Sequence, residues 1–237
     1  MPCNGRLPLI IAAFGCLGLS AIGKTLGLLL AFVVAVLLTF AVSKLLSTTL
    51  LKGKPSSFTL ELPPYRTPQI GQILVRSLFD RTIFVLGRAV SVAAPAGIII
   101  WLCMNIEIGD SSIYAHLTEL LDPIGKIAGM DGVLILAFLF AIPAAELMLP
   151  LAMAGIEGGE NIAFEIGNMT EAFNAAGWNS VTVVCVIIFM MFHFPCATTL
   201  MTVKKETGSL RWTILSAILP TAIGYLLCIA VNVFFGR

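Results

Sequence analysis

Long apolar runs separated by short polar segments dominate the pattern of the chain. Each run is near or above the ~20 residues that a helix needs to cross the hydrocarbon core of a bilayer. The runs lie at residues 7–23, 25–47, 82–104, 131–156, 179–203 and 212–235. This pattern predicts an all-α fold, a polytopic membrane helical bundle.

The polar segments divide the chain into three parts. Residues 1–47 are predicted to form an N-terminal hairpin of membrane helices, residues 48–81 a cytosolic connector, and residues 82–237 a C-terminal membrane domain with broken helices. In the connector, apolar residues recur at helical spacing from Ile70 to Phe79, which predicts an amphipathic helix along the membrane surface. The first apolar run could also be a secretory signal, but a second run follows at once and favours the hairpin.

Composition and motifs exclude several classes of protein. The chain is 58% hydrophobic and 11% charged, whereas a soluble domain carries about 25% charged residues. A net charge of +1 excludes a polybasic nucleic-acid binder. The six cysteines form no CxxC pair, so neither a disulfide framework nor a zinc finger is indicated. The sequence contains no GxxxxGK[ST], HExxH or GxSxG motif, so a transporter is favoured over an enzyme.

Lysine and arginine residues predict how the chain crosses the membrane. Seven basic residues lie between positions 44 and 88, and Lys204, Lys205 and Arg211 follow later. Both clusters should face the cytoplasm, but three full crossings between them would place them on opposite sides. One apolar run should therefore enter and leave by the same face. Run 131–156 is the best candidate, because Pro143 and Pro150 interrupt its helical pattern.

Glu146 is a candidate cation ligand within that run. A carboxylate deep in the membrane costs at least ~2.5–3.5 kcal/mol on insertion scales, so it normally faces a cavity or a partner. Glu146 lies between the two prolines, and secondary transporters build ion sites at such interrupted helices. The structural alternative is a protonated carboxyl group that hydrogen-bonds to a neighbouring helix.

A second interruption is predicted at Pro195, beside His193 and Cys196. Imidazole and thiolate groups suit transition metals, whereas carboxylates and carbonyls suit harder cations. His193, Cys196 and Glu146 therefore form a borderline-soft set that favours a divalent transition metal or Cu(I). Cys3 also follows a proline, at the other end of the chain. Taken singly, each has an ordinary alternative, since a cysteine in a membrane helix is most often a small hydrophobic residue.

Several stretches, in this order along nearly the whole chain, resemble the ferrous iron transport protein B (FeoB) family. They are MPCNGRLPL, LELPPYRTPQIGQ, LDPIGKIAG, FAIPAAELMLPLAMAG and FHFPCATTLMTVKKETGSLRWT. The resemblance implies a multi-pass Fe²⁺ importer of the cell inner membrane, with gate-type motifs in its pore. Fe²⁺ would be the transported substrate, and no cofactor would be bound permanently. The resemblance also implies that Cys3 and Cys196 contact iron and that Glu146 is the acidic residue of the family's motif.

Members of that family usually begin with a cytosolic GTP-binding domain and a first membrane half, which the present sequence does not include. It is therefore expected to be a split-gene product, a fragment or a degenerate copy, and to need a partner chain that carries those parts. The other expected partners are Fe²⁺, the lipid bilayer and further copies of the chain, and nucleic acid is not expected. Two alternatives remain, a gate-topology carrier of another solute such as a nucleoside and a non-transporting membrane assembly subunit.

Overall fold

The computed structural model describes residues 5–49, 70–76, 79, 82–109, 111–156 and 176–236. Within these ranges the chain is almost entirely helical, which confirms the predicted all-α class. The helices are α1 (Leu7–Cys16), α2 (Ala21–Thr49), α3 (Ile70–Arg76), α4 (Phe84–Asn105), α5 (Ile113–Ile127), α6 (Gly132–Phe140), α7 (Met148–Ile156), α8 (Ser180–Phe192), α9 (Ala197–Thr207) and α10 (Leu210–Phe235). Two short strands, β1 (Glu107–Ile108) and β2 (Ser111–Ser112), pair antiparallel between α4 and α5.

The longest helices have the length and composition of membrane spans. Among the described residues, three segments are long and apolar enough to cross a bilayer: Ala21–Thr49, Ser180–Thr207 and Leu210–Phe235. Helices α5 and α6 meet at an angle of 107° and together form a further candidate, either a broken span or a re-entrant loop. These segments support the prediction of a membrane protein.

Short, interrupted helices occupy the centre of the bundle, and the longest helices lie outside them. Leu134 and Phe138 of α6, together with Cys185 and Val186 of α8, are almost completely buried. In α2, by contrast, Ala35 is the only buried residue. A helix break leaves backbone groups without partners, and such groups are tolerated at membrane depth only inside protein or beside a water-filled cavity. The arrangement therefore protects the breaks from lipid.

The first break separates α6 from α7. The chain leaves the helix after Phe140, passes through Pro143 and re-enters helical structure through a 3₁₀ turn, Ala145–Leu147. The prediction that Pro150 also interrupts the helix is wrong, because Pro150 is the third residue of α7. The first N–H groups of a helix have no acceptor within it, so a proline there costs no hydrogen bond.

The second break separates α8 from α9 and touches the first. His193 ends α8 with an extended backbone (ψ 166°), and Cys196 is again extended (ψ 159°) immediately before α9. The backbone N–H of Ala197, the first residue of α9, donates to the carbonyl oxygen of Ile142 at 2.9 Å. The two interruptions predicted from the sequence therefore meet through a direct backbone hydrogen bond.

A glycine allows α10 to pack closely against the end of α8, next to the second break. A Cβ atom on Gly224 of α10 would lie 2.8 Å from the Cβ of Phe192, the last residue of α8. Only a residue without a side chain fits such a contact. The close packing fixes the end of α8, and so the start of the second break, against a long continuous helix.

Candidate functional site

A cavity of about 610 Å³ lies beside the second break. Its walls come from the last part of α2, the end of α8 and the first half of α10. The described residues that line it are Arg6, Leu38, Thr39, Val42, Ser43, Leu46, Ser47, Met191, Phe192, His193, Pro195, Cys196, Thr199, Ser216, Leu219, Pro220 and Ile223. Most of the lining side chains are apolar, and hydroxyl groups come from α2, from Thr199 of α9 and from Ser216 of α10.

Cys196 presents its sulfur at the start of α9, on the cavity wall. Its Sγ lies 3.0 Å from the Thr198 hydroxyl oxygen and 3.2 Å from the Thr199 hydroxyl oxygen. Either partner can donate in these two contacts, and a thiolate, the form of cysteine that binds metals, can accept from both hydroxyl groups. Cys196 is half-buried, so its sulfur is screened from bulk solvent and still reachable from the cavity.

His193 is held in an aromatic cage. Its ring stacks on Phe189 with centroids 5.8 Å apart, and Phe138 and Phe194 contact it at 5.1 and 5.0 Å. Only 4% of the residue is exposed. Within the described part of the chain, its Nδ1 atom is buried without a hydrogen-bond partner. A buried polar atom without a partner is rare and marks a place where a further group can bind.

Arg6 crosses from the start of α1 to the second break, and it is buried there (5% exposed). Its guanidinium donates to the carbonyl oxygens of Phe194 at 2.7 Å, Met190 at 3.2 Å and His193 at 3.4 Å. Its Nη2 also lies 3.4 Å from Nε2 of His193. A guanidinium only donates, so Nε2 accepts this contact and the hydrogen of the neutral imidazole is assigned to Nδ1.

Glu146 lies in the 3₁₀ turn that follows the first break. Its side chain rests against Gly5, because a Cβ atom built on Gly5 would be 2.7 Å from the Glu146 Oε1 atom. The sequence places Glu146 deep in an apolar run, but its side chain is exposed in the structure. Since Gly5 precedes Arg6, two consecutive residues reach both breaks, one beside Glu146 and the next beside His193.

The predicted site residues are brought to neighbouring segments but not into one ligand cluster. Glu146 follows the first break and Cys196 ends the second, and the two breaks meet at the Ile142–Ala197 hydrogen bond. Over the described ranges, no three His, Cys, Asp or Glu side chains lie close enough to hold a metal ion. Cys3 lies outside the described residues, two positions before Gly5.

Sequence reasoning missed Arg6, although its guanidinium contacts three backbone carbonyls and the His193 imidazole at the second break. Its only signal is a charged residue between Pro2 and Pro8, directly before an apolar helix. A charge in that position must be solvated by protein once the helix enters the membrane. The carbonyl groups exposed by the Pro195 break, 188 residues away, supply that solvation.

Two family models match the chain. Residues 27–80 match the C terminus of ferrous iron transport protein B, and residues 86–210 match the Gate model, which is described as nucleoside recognition. Together the matches cover most of the connector and the segments that contain both helix breaks. No solved structure is significantly similar to the chain.

Curated relatives that match the chain are named Fe(2+) transporter FeoB. The chain is 26% identical over 238 residues to the Fe(2+) transporter FeoB of Staphylococcus aureus strain MSSA476, covering 96% of the chain and 34% of the relative. The FeoB proteins of Leptospira interrogans and Methanocaldococcus jannaschii are each 23% identical, over 94% and 98% of the chain and 36% and 35% of their own lengths. The chain thus spans about a third of the length of the curated relatives it matches.

Proposed function

Because the chain belongs to the ferrous iron transport protein B family, we propose that it forms the membrane part of an Fe²⁺ importer in the cell inner membrane. The relatives are named as Fe(2+) transporters, which favours a permease over an enzyme. The single observation that carries the proposal is the meeting of two helix breaks at the Ile142–Ala197 hydrogen bond. That contact brings a segment that bears a carboxylate beside one that bears a thiol.

The metal path runs along this junction. Glu146 offers hard oxygen atoms on one side, and Cys196 offers a soft sulfur on the other, a combination that suits a borderline divalent transition metal. Cys3 is proposed as a further ligand, because the chain reaches Gly5, two residues later, beside Glu146. His193 can join through Nε2 only when Arg6 moves away, since that nitrogen now accepts from the guanidinium.

The cavity gives the metal a way out on the cytoplasmic side. It is lined by the last part of α2 and by the first half of α10. Lys44 lies in that part of α2, Lys204 and Lys205 lie in the last turn of α9, and Arg211 lies at the start of α10. Under the positive-inside rule those ends face the cytoplasm. A cation released from Cys196 would therefore enter a chamber on the cytosolic side of the break.

A GTPase on another chain or segment is proposed to gate the release, because the curated relatives are about three times as long as this chain. The chain would need that partner for regulated import. Further copies of the chain are proposed to pack against α2, since this helix exposes large apolar residues such as Leu37 and Phe40.

A nucleoside carrier is the alternative suggested by the description of the Gate model. A nucleoside site needs amide groups and aromatic rings to read a base. The described lining of this cavity includes the ring of Phe192 but no Asn or Gln side chain, and it offers hydroxyl, thiol, imidazole and guanidinium groups. Competition separates the two functions: excess Co²⁺ should inhibit ⁵⁵Fe²⁺ uptake, and adenosine or uridine should leave it unchanged.

The experiment that tests the proposed function is ⁵⁵Fe²⁺ uptake by the assembled transporter in cells without other iron importers. Cys196→Ala and Glu146→Gln should each lower uptake by at least about tenfold at unchanged expression. Even substitution of a residue that only hydrogen-bonds to a metal ligand lowers metal affinity or activity by about 10–100-fold. Cys103→Ala is the matched control, because Cys103 lies in α4 and is not among the residues of the cavity wall. Normal uptake in both site variants would remove these residues from the path.

A further inference from the structure

Arg6 occupies a place that could otherwise hold a cation. Three backbone oxygen atoms, from Met190, His193 and Phe194, converge on its guanidinium at 2.7–3.4 Å. They belong to the last turn of α8 and to the extended residues that follow it, where the helix supplies no N–H groups to them. Backbone carbonyls arranged around one point are the ligands that Ca²⁺ and other hard cations prefer.

The guanidinium also holds the imidazole of His193. Metals bind an imidazole nitrogen through its lone pair, and the lone pair of Nε2 is directed at Nη2 of Arg6 across 3.4 Å. The packing of Phe138, Phe189 and Phe194 around the ring opposes a rotation that would free this nitrogen. With Arg6 in place, the sulfur of Cys196 is the side-chain donor atom of this break that remains open to the cavity.

We propose that Arg6 is a specificity-determining residue. Its guanidinium occupies the space between the carbonyl oxygens of Met190, His193 and Phe194, here called the oxygen cage of the α8–α9 break, and it leaves the Cys196 sulfur as the group that a passing cation can bind. This inference rests on the proposed function. Because Arg6 occupies these oxygen ligands, Mg²⁺ and Ca²⁺ should bind less well here than thiophilic divalent metals. The positive charge itself does not discriminate, because it repels all divalent ions alike.

The geometry of the side chain explains why arginine is needed. A guanidinium carries five N–H donors in a planar fork, so one group can serve several carbonyls and an imidazole at once. A lysine ammonium keeps the charge but is a compact point donor with three hydrogens. Substitution by lysine therefore separates the filling of the cage from the charge, and substitution by glutamine removes both.

The test measures metal selectivity of the full chain in lipid nanodiscs. Co²⁺ is the thiophilic probe, followed by its sulfur-to-cobalt charge-transfer absorption, and Mg²⁺ and Ca²⁺ are the hard competitors. Arg6→Gln should lower the ratio of the Mg²⁺ to the Co²⁺ dissociation constant by about tenfold or more, equivalent to ~1.4 kcal/mol. Arg6→Lys should lower the same ratio by a smaller factor. If Arg6→Gln does not fold, the ratio measured for Arg6→Lys tests the inference in its place.

The control is Lys24→Gln, which removes one positive charge from α2, where Lys24 Nζ donates to the Gly15 carbonyl at 2.8 Å. Its selectivity ratio should equal that of the unmodified chain. An unchanged ratio in both Arg6 variants, or equal losses of Co²⁺ and Mg²⁺ affinity, would overturn the inference and leave the proposed function standing. If Cys196→Ala leaves the Co²⁺ absorption intact, the proposed function itself fails, and the inference fails with it.

Discussion

At the scale of single residues, Gly5 and Arg6 are the connection between the two helix breaks. Gly5 has no side chain, so the turn before α1 passes directly against the Glu146 side chain. The guanidinium of Arg6, the next residue, donates to carbonyl groups at and just beyond the end of α8. Burial of a guanidinium is costly unless its donors are satisfied, so these contacts hold the start of α1 at the junction.

Substitution of Gly5 should change the position of Glu146 and little else. In Gly5→Ala the new methyl group would lie 2.7 Å from Oε1, and the flexible carboxylate would rotate away at small cost in stability. We expect Co²⁺ affinity, measured by titration, to fall by up to about tenfold (~1.4 kcal/mol) with little change in the melting temperature. Gly18→Ala is the control, because a Cβ atom at Gly18 has open space around it. Equal affinities in the two variants would remove Glu146 from the site.

The residue types at the site were partly predictable. A thiol, an imidazole and a proline within four positions mark Cys196 and His193 in the sequence, since an ionisable imidazole is rare in a membrane helix and its neighbours here are a helix-breaking proline and a metal-binding thiol. The sequence does not reveal that Arg6 directs its guanidinium at His193 Nε2. That contact joins positions 187 residues apart, and no local pattern encodes the carbonyl groups that attract the arginine.

At the scale of elements, the breaks are produced by backbone chemistry and by packing together. Pro143 and Pro195 lie where helices end, but Pro95, Pro123 and Pro220 lie inside α4, α5 and α10. A proline in a helix removes one hydrogen bond, and at these three positions the helix continues through the proline. At the two breaks, the Ile142–Ala197 hydrogen bond and the Arg6 contacts supply replacements for the lost helical bonds.

The close packing of α8 on α10 predicts a stability effect. A methyl group at position 224 would lie 2.8 Å from the Cβ of Phe192, and overpacking of this kind costs about 1–3 kcal/mol. Gly224→Ala should therefore lower the free energy of unfolding by that amount in a denaturant titration, and it should disturb the end of α8. Gly97→Ala, in α4 with open space around the site, should be neutral or stabilising. Equal stability of the two variants would argue against this helix contact.

At the scale of the whole molecule, the burial pattern and the charge pattern suggest the same arrangement. Helices α6 and α7 have nine residues each, so at ~1.5 Å per residue neither can cross a bilayer alone. They pack against each other in the interior, while the long helix α2 is exposed. The parity of the basic clusters predicts one run that returns to the face it entered. Run 131–156 stays the candidate, and α5 and α6, which meet at 107°, are a further bent pair that is either a broken span or a re-entrant loop.

Labelling of single cysteines with a membrane-impermeant maleimide tests this topology. In a background without native cysteines, Thr48→Cys and Glu206→Cys should react only after the cytoplasmic side is opened, and Ser180→Cys should react in intact cells. All three positions are exposed at helix ends. If Thr48→Cys and Glu206→Cys were labelled from opposite sides, run 131–156 would cross fully and the re-entrant arrangement would be wrong.

The overall architecture was more predictable than the site, for a physical reason. Apolar runs of fixed length and the placement of basic residues depend on local sequence alone, and they give the long continuous helices to within a few residues, as for α10 (predicted 212–235, observed Leu210–Phe235). Run 7–23, by contrast, contains only the ten-residue helix Leu7–Cys16. The break at Pro150 was wrongly predicted, because a proline has different effects in the first turn and in the middle of a helix. Which breaks meet depends on packing between distant segments, such as Ile142 and Ala197.

The proposal depends above all on whether the Cys196 sulfur binds the transported metal. X-ray absorption spectroscopy at the iron edge, on the full chain loaded with Fe²⁺ under anaerobic conditions, measures this directly. We expect a sulfur scatterer in the first coordination sphere of the unmodified chain, which disappears in Cys196→Ser and persists in Cys103→Ser. A sphere of oxygen and nitrogen atoms only, in the unmodified chain, would rule out a thiol-based metal path at the α8–α9 break.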